Sequence, residues 1–75
     1  MKRYRLSCLL PGECGEIVSV ECENGIKRRL YDLGLIEGTV VQCLQKSPLG
    51  DPIAFGIRGA VIALREEESS NIFIK

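Results

Sequence analysis

The sequence predicts a mainly β domain: a small closed barrel of five or six short strands with one inserted short helix, at about residues 25–33. Three observations carry this. Short apolar alternations are separated by turn formers every eight to twelve residues, the spacing of a small barrel or sandwich. One stretch alone has clear helical periodicity, with Ile26, Leu30 and Leu33 at i, i+4 and i+7 on one stripe. The chain has 75 residues, enough for a single core and a single domain spanning 1–75.

Leu6 to Leu10 reads as the first strand, stopped by the turn Pro11-Gly12. Glu16 to Glu23 follows as the second, with Val18, Val20 and Cys22 on one face and Ser19 and Glu21 on the other. Asn24-Gly25 breaks that strand and offers Asn24 as N-cap for the helix. Gly34 directly follows the helical stripe, where a helix commonly ends in a left-handed residue. Thr39 to Lys46 is the third strand, and Ser47-Pro48-Leu49-Gly50-Asp51-Pro52 is a loop dense in turn formers. Ile53, Phe55 and Ile57 alternate in the fourth strand. Arg58-Gly59 is a tight turn, and Ala60 to Arg65 is the fifth strand, with Ile62 and Leu64 inward. Glu66 to Asn71 reads as a polar loop before a short last strand, Ile72 to Ile74. The expected core is therefore Ile26, Leu30, Leu33, Ile53, Phe55, Ile62 and Leu64, with the helix sealing one mouth of the barrel. An isolated helix of this length is marginal in water, so its stripe must close over something. Closing the sheet would also remove exposed strand edges.

Composition narrows the function. Lysine plus arginine balance aspartate plus glutamate, giving no formal net charge. Nucleic-acid binders normally carry clustered excess cations, so nucleic acid is not the expected partner. Histidine is absent, which removes the commonest general base and metal ligand. Without it there is no nucleophile–base pair, and no Walker-type phosphate loop is present. A chain this short also leaves no room for a cleft between lobes. The sequence therefore describes a protein that is not an enzyme and needs no cofactor. The apolar run after the basic N-terminus ends at Pro11, too short for an export signal or a membrane span. A cytoplasmic location without membrane insertion is the expectation.

Cys8, Cys14, Cys22 and Cys43 include no Cys-x-x-Cys pair, so the usual zinc spacing is missing. They read as free thiols behaving as small hydrophobes, with no metal site assigned. Lys27, Arg28 and Arg29 crowd three cations into the first helical turn, against the helix dipole. Such a run fits a basic patch aimed at an acidic partner surface. Arg28 and Asp32 stand at i, i+4, and Glu21 or Glu23 offers further neutralisation. Leu35 and Ile36 follow the helix; one anchors the turn inward and the other is left as an apolar contact. Leu49, in a proline-stiffened loop that loses little entropy on binding, completes the candidate partner-binding set. Glu66, Glu67 and Glu68 lack the oxygens a calcium site needs.

Leu30-Tyr31-Asp32-Leu33-Gly34-Leu35-Ile36-Glu37-Gly38, Ser47-Pro48-Leu49-Gly50-Asp51-Pro52-Ile53 and Val61-Ile62-Ala63-Leu64-Arg65 together resemble the FeoA-type domain of bacterial ferrous iron transport. Leu6-x-x-Leu9-x-x-Gly12 and Gly15-x-Ile17 resemble that family's opening, so the similarity runs from Leu6 to Ile74. The resemblance implies an SH3-like barrel with an inserted helix, no enzymatic activity and a cytoplasmic accessory role. Its implied partner is FeoB, the membrane transporter with a cytoplasmic GTP-binding domain. The cysteines lie outside the family's pattern. The alternative function is a small thiolate metal-binding or metal-sensing protein.

Overall fold

The computed structural model describes residues 3–75. Six antiparallel strands form one sheet in the ladder order β1-β6-β2-β3-β4-β5. They are β1 (Tyr4–Arg5), β2 (Cys14–Val20), β3 (Val40–Lys46), β4 (Ile53–Ile57), β5 (Ala60–Leu64) and β6 (Ile72–Ile74). Helix α1 (Asn24–Asp32) lies between β2 and β3, and a one-turn helix α2 (Glu66–Ser69) lies between β5 and β6. Both halves of the sheet share one apolar cluster that includes Leu6, Ile17, Leu30, Val41, Phe55 and Ile72. The sheet therefore curls around its core, as expected for an SH3-like barrel. Among the described residues no ladder joins β5 back to β1, so the hydrogen-bonded wall stays open there.

The opening segment departs from the sequence expectation. The strand is only Tyr4–Arg5, paired with Ile74 and Phe73, and Leu6–Cys8 turn into a 3-10 helix. Leu6 and Leu9 stand three apart, which matches the 3-10 period and buries both. In β2 the expected face is also revised. A register shift between Ile17 and Ser19 places Ile17 and Val20 inward and leaves Val18 only half-buried. A bulge inserts one residue and so flips the alternation beyond it. A second shift, between Cys43 and Gln45, falls in β3. These two irregularities give the sheet its bends. Gly15, buried in β2, lies against β6, where a Cβ would stand 2.5 Å from Ile74 Cδ1.

β4 buries Ile53, Phe55 and Ile57 in the expected alternation. It joins β5 through Arg58-Gly59, with φ of 50° and 81°. Two positive angles define the primed two-residue turn that matches strand twist. In β5, Leu64 is buried and Ile62 packs half-buried against the core.

Helix α1 begins after Glu23, which serves as N-cap in place of Asn24, and no side chain caps it. Ile26 packs against the core half-buried, and Leu30 is completely buried. Leu33, expected in the core, is 41% exposed. The reason lies in the helix end. Gly34 adopts φ +97°, its N–H donates to Tyr31 O at 2.9 Å, and the Leu35 N–H donates to Leu30 O at 2.9 Å. This paired closure is the Schellman arrangement, which brings the residue after the glycine onto the last helical turn. Leu35 thus takes the inward place beside Leu30, and Leu33 is turned outward.

The acidic run expected as a loop forms α2. The Arg65 backbone N–H donates to Glu68 Oε1 at 3.1 Å, and the Glu66 N–H donates to Asp51 Oδ1 at 3.0 Å. Three carboxylates in a first turn also favour the helix dipole. Asp51 belongs to the proline loop, so that loop fixes where the sheet ends and α2 starts.

Candidate interaction surface

The three cations of α1 have different fates. The Arg29 guanidinium forms an ion pair with Glu68 Oε2, tying α1 to α2. Lys27 Nζ stands 5.6 Å over the Tyr31 ring, a cation–π contact. Arg28 is exposed and forms no ion pair with Asp32 or any other carboxylate among the described residues. Glu21, a suggested neutraliser of this run, pairs with Arg3 at 2.8 Å. That hydrogen bond, with a second from Ser19, holds the Glu21 carboxyl below its ordinary range. Arg3 and Arg5 in turn lie 4.5 Å and 5.2 Å from the Phe73 ring centre.

Leu35 is fully buried and can touch no partner, so it leaves the candidate binding set and joins the core. Ile36 is half-buried in the same turn. Leu49 is 95% exposed at the tip of a loop closed by Gly50 N–H to Ser47 O (2.7 Å) and Ser47 Oγ to Pro52 O (2.8 Å). Tyr31 donates its hydroxyl to both Glu37 oxygens, at 2.9 and 3.0 Å. Hydrogen bonds from its own backbone N–H and from Tyr31 lower the Glu37 carboxyl, while the acceptor raises the Tyr31 phenol.

Sequence reasoning missed the outer face of β3-β4-β5. Val40 and Val61 are strongly exposed, and Leu44 partly so, covering the space where a Gly56 Cβ would lie. The signal was present in the alternation, since Val61 is out of phase with Ile62 and Leu64. A strand read only for its inward residues hides the outward ones.

The thiols are dispersed. Cys8 and Cys14 are exposed, Cys22 is half-buried and Cys43 is buried. Burial pushes the Cys22 and Cys43 thiols up. Among the described residues no three His, Cys, Asp or Glu side chains converge as metal ligands. No helix among them is long and apolar enough to cross a membrane.

Basic and apolar side chains standing on the outside of a curled sheet can bind another surface. The fold is that of a small SH3-like domain. The FeoA domain model matches residues 4–75, and the chain belongs to the FeoA family. It is 31% identical over 71 residues to a Porphyromonas gingivalis Fe(2+) transport protein A/Fe(2+) transporter FeoB fusion protein. The match takes in 95% of this chain and 8% of that much longer protein. The solution structure of FeoA from Chlorobium tepidum is 38% identical, with a TM-score of 0.89, over 93% of this chain and 67% of that one. A crystal structure of Stenotrophomonas maltophilia FeoA complexed with zinc is 28% identical, with a TM-score of 0.82, over 93% and 87%. That protein is described as an SH3 domain protein and a candidate ferrous iron transport activating factor. The chain is thus related to ferrous iron transport proteins.

Proposed function

We propose that this domain is a non-catalytic accessory factor that assists ferrous iron uptake by docking onto the cytoplasmic part of a FeoB-type transporter. The observation that carries the reading is the fusion relative, in which a FeoA-type segment and the transporter are one polypeptide. Two functions held on one chain act at high effective concentration, the expected arrangement for domains that touch. The outer surface suits such docking, with Lys27 and Arg28 on α1, half-buried Ile36 in the turn after the helix, and Leu49 on a stiff loop. Arg29 contributes less, because Glu68 already neutralises it. A polypeptide suits this surface better than nucleic acid, since cations and carboxylates balance over the chain. No cofactor enters the reading, and the domain works at the cytoplasmic face without inserting into the membrane.

Ferrous iron uptake by cells lacking this chain, but keeping the transporter, tests the proposal. Uptake falls, and returns when the wild-type chain is supplied. Unchanged uptake in the deletion contradicts it.

A further inference from the structure

β5 ends the ladder order and has a free edge. Ile57 and Ala60 enclose a two-residue turn and so form a hydrogen-bonded pair. Counting along the strand, Ala60, Ile62 and Leu64 aim their backbone groups at β4, and Val61 and Ala63 aim theirs outward. Among the described residues no other backbone group bonds to Val61 or Ala63. Both side chains are exposed, Val61 by 69%. Natural edges are usually guarded by lysine, proline or an inward charge, and none of these stands at either position.

The surroundings of this edge say what fits it. Beside Ala63 an open cavity of about 360 Å³ is walled by Arg29, Arg65, Glu68, Asp51 and Pro52. Its carboxylates are already engaged: Asp51 accepts from the Glu66 N–H, and Glu68 accepts from the Arg65 N–H and pairs with Arg29. The Arg65 guanidinium forms no ion pair among the described residues. Arg58, at the other end of the strand, has only a 3.4 Å contact with Thr39 Oγ1. The edge is thus a short apolar track with an uncompensated cation at each end.

We infer that the Val61–Ala63 edge of β5 is a strand-addition site that takes an extended, acid-flanked segment of the partner polypeptide. This rests on the reading that the domain docks onto the transporter, and assigns the place where it does so. Main-chain hydrogen bonds to Val61 and Ala63 supply the affinity, and carboxylates beside the track meet Arg58 and Arg65. Strand addition needs only extended backbone, so the pairing tolerates varied partner side chains outside the flanking acids.

Val61→Pro tests it, because proline removes the outward N–H and leaves every β4–β5 hydrogen bond in place. Binding to the full-length, detergent-solubilised transporter from the same cell is measured alongside far-UV circular dichroism. The expected result is a native spectrum with binding weakened about tenfold or more, the loss of one to two hydrogen bonds with their pairing geometry. Arg58→Glu/Arg65→Glu, which leaves the backbone untouched, weakens binding and flattens its salt dependence. In amide exchange on the wild-type chain, Val61 and Ala63 gain protection when the transporter is added. Wild-type binding with no loss in either variant, or no gain of protection at these amides, overturns the edge and leaves the docking proposal standing. No wild-type binding overturns both. Protection of the same amides that grows with protein concentration alone assigns the edge to a second copy, which also overturns the inference.

Discussion

Replacing Leu30 by alanine removes the side chain at the centre of the helix-to-barrel contact. It is completely buried, as is Leu35 beside it, and its carbonyl closes the helix end. Buried leucine-to-alanine changes cost about 2–5 kcal/mol, the upper half where the cavity cannot collapse. A domain of 75 residues has only about 4–11 kcal/mol of total stability at ordinary values per residue. One substitution therefore removes roughly a fifth of it at the least, and lowers the melting temperature by roughly 8–40 °C at about 4–8 °C per kcal/mol. Leu33→Ala is the internal control. Leu33 belongs to the same sequence stripe, yet it is 41% exposed, so its loss costs at most about 1 kcal/mol. Urea denaturation followed by circular dichroism gives both values on one scale. Equal losses, or a greater one at Leu33, would refute the argument that the Schellman turn hands the inward position to Leu35.

Further outcomes follow from single positions. Gly34→Ala places a side chain at φ +97° and destabilises by about 1–2 kcal/mol, read as a lower urea midpoint at constant slope. Arg58→Gly relieves a positive φ in the β4–β5 turn and stabilises by a few tenths to about 1 kcal/mol, visible as a higher melting temperature. The Glu37 carboxyl titrates below its ordinary range in the folded chain, so its contribution is complete above the unfolded pKa and fades as pH falls through the folded one. Tyr31→Phe moves that titration back towards the ordinary value, which carboxyl NMR shifts follow; an unmoved titration denies the hydroxyl any part in it. Towards an aromatic disulfide reagent, Cys8 and Cys14 react rapidly while Cys22 and Cys43 lag, and a single uniform rate contradicts the burial pattern.

The strong periodicities were legible in the amino acids. The β4 triad Ile53, Phe55 and Ile57, the Arg58-Gly59 turn and the glycine stop at Gly34 all express local rules that tertiary contacts did not override. What escaped depended on single inserted residues or distant partners. The bulge in β2 moved Ile17 inward and Val18 out, although the alternation alone favoured Val18. Leu6 to Leu10 read as a strand, and burial of Leu6 and Leu9 three residues apart in the shared core made its start a 3-10 turn. Helix α2 depends on Asp51, fifteen residues upstream, which no local pattern at Glu66 could reveal. The surface was harder still. A run of three cations says nothing of which one a remote glutamate will neutralise, and Glu68 chose Arg29. Leu35 and Ile36 were interchangeable by type; the direction of the helix closure separated them.

Titration of the purified chain into full-length FeoB-type transporter from the same cell, at low and at moderate salt, reaches the centre of the account. A saturable heat with one domain per transporter protomer, weaker at the higher salt and retained by Leu33→Ala, is the predicted result. A wild-type chain that gives no heat with folded, nucleotide-binding transporter at either salt would contradict it.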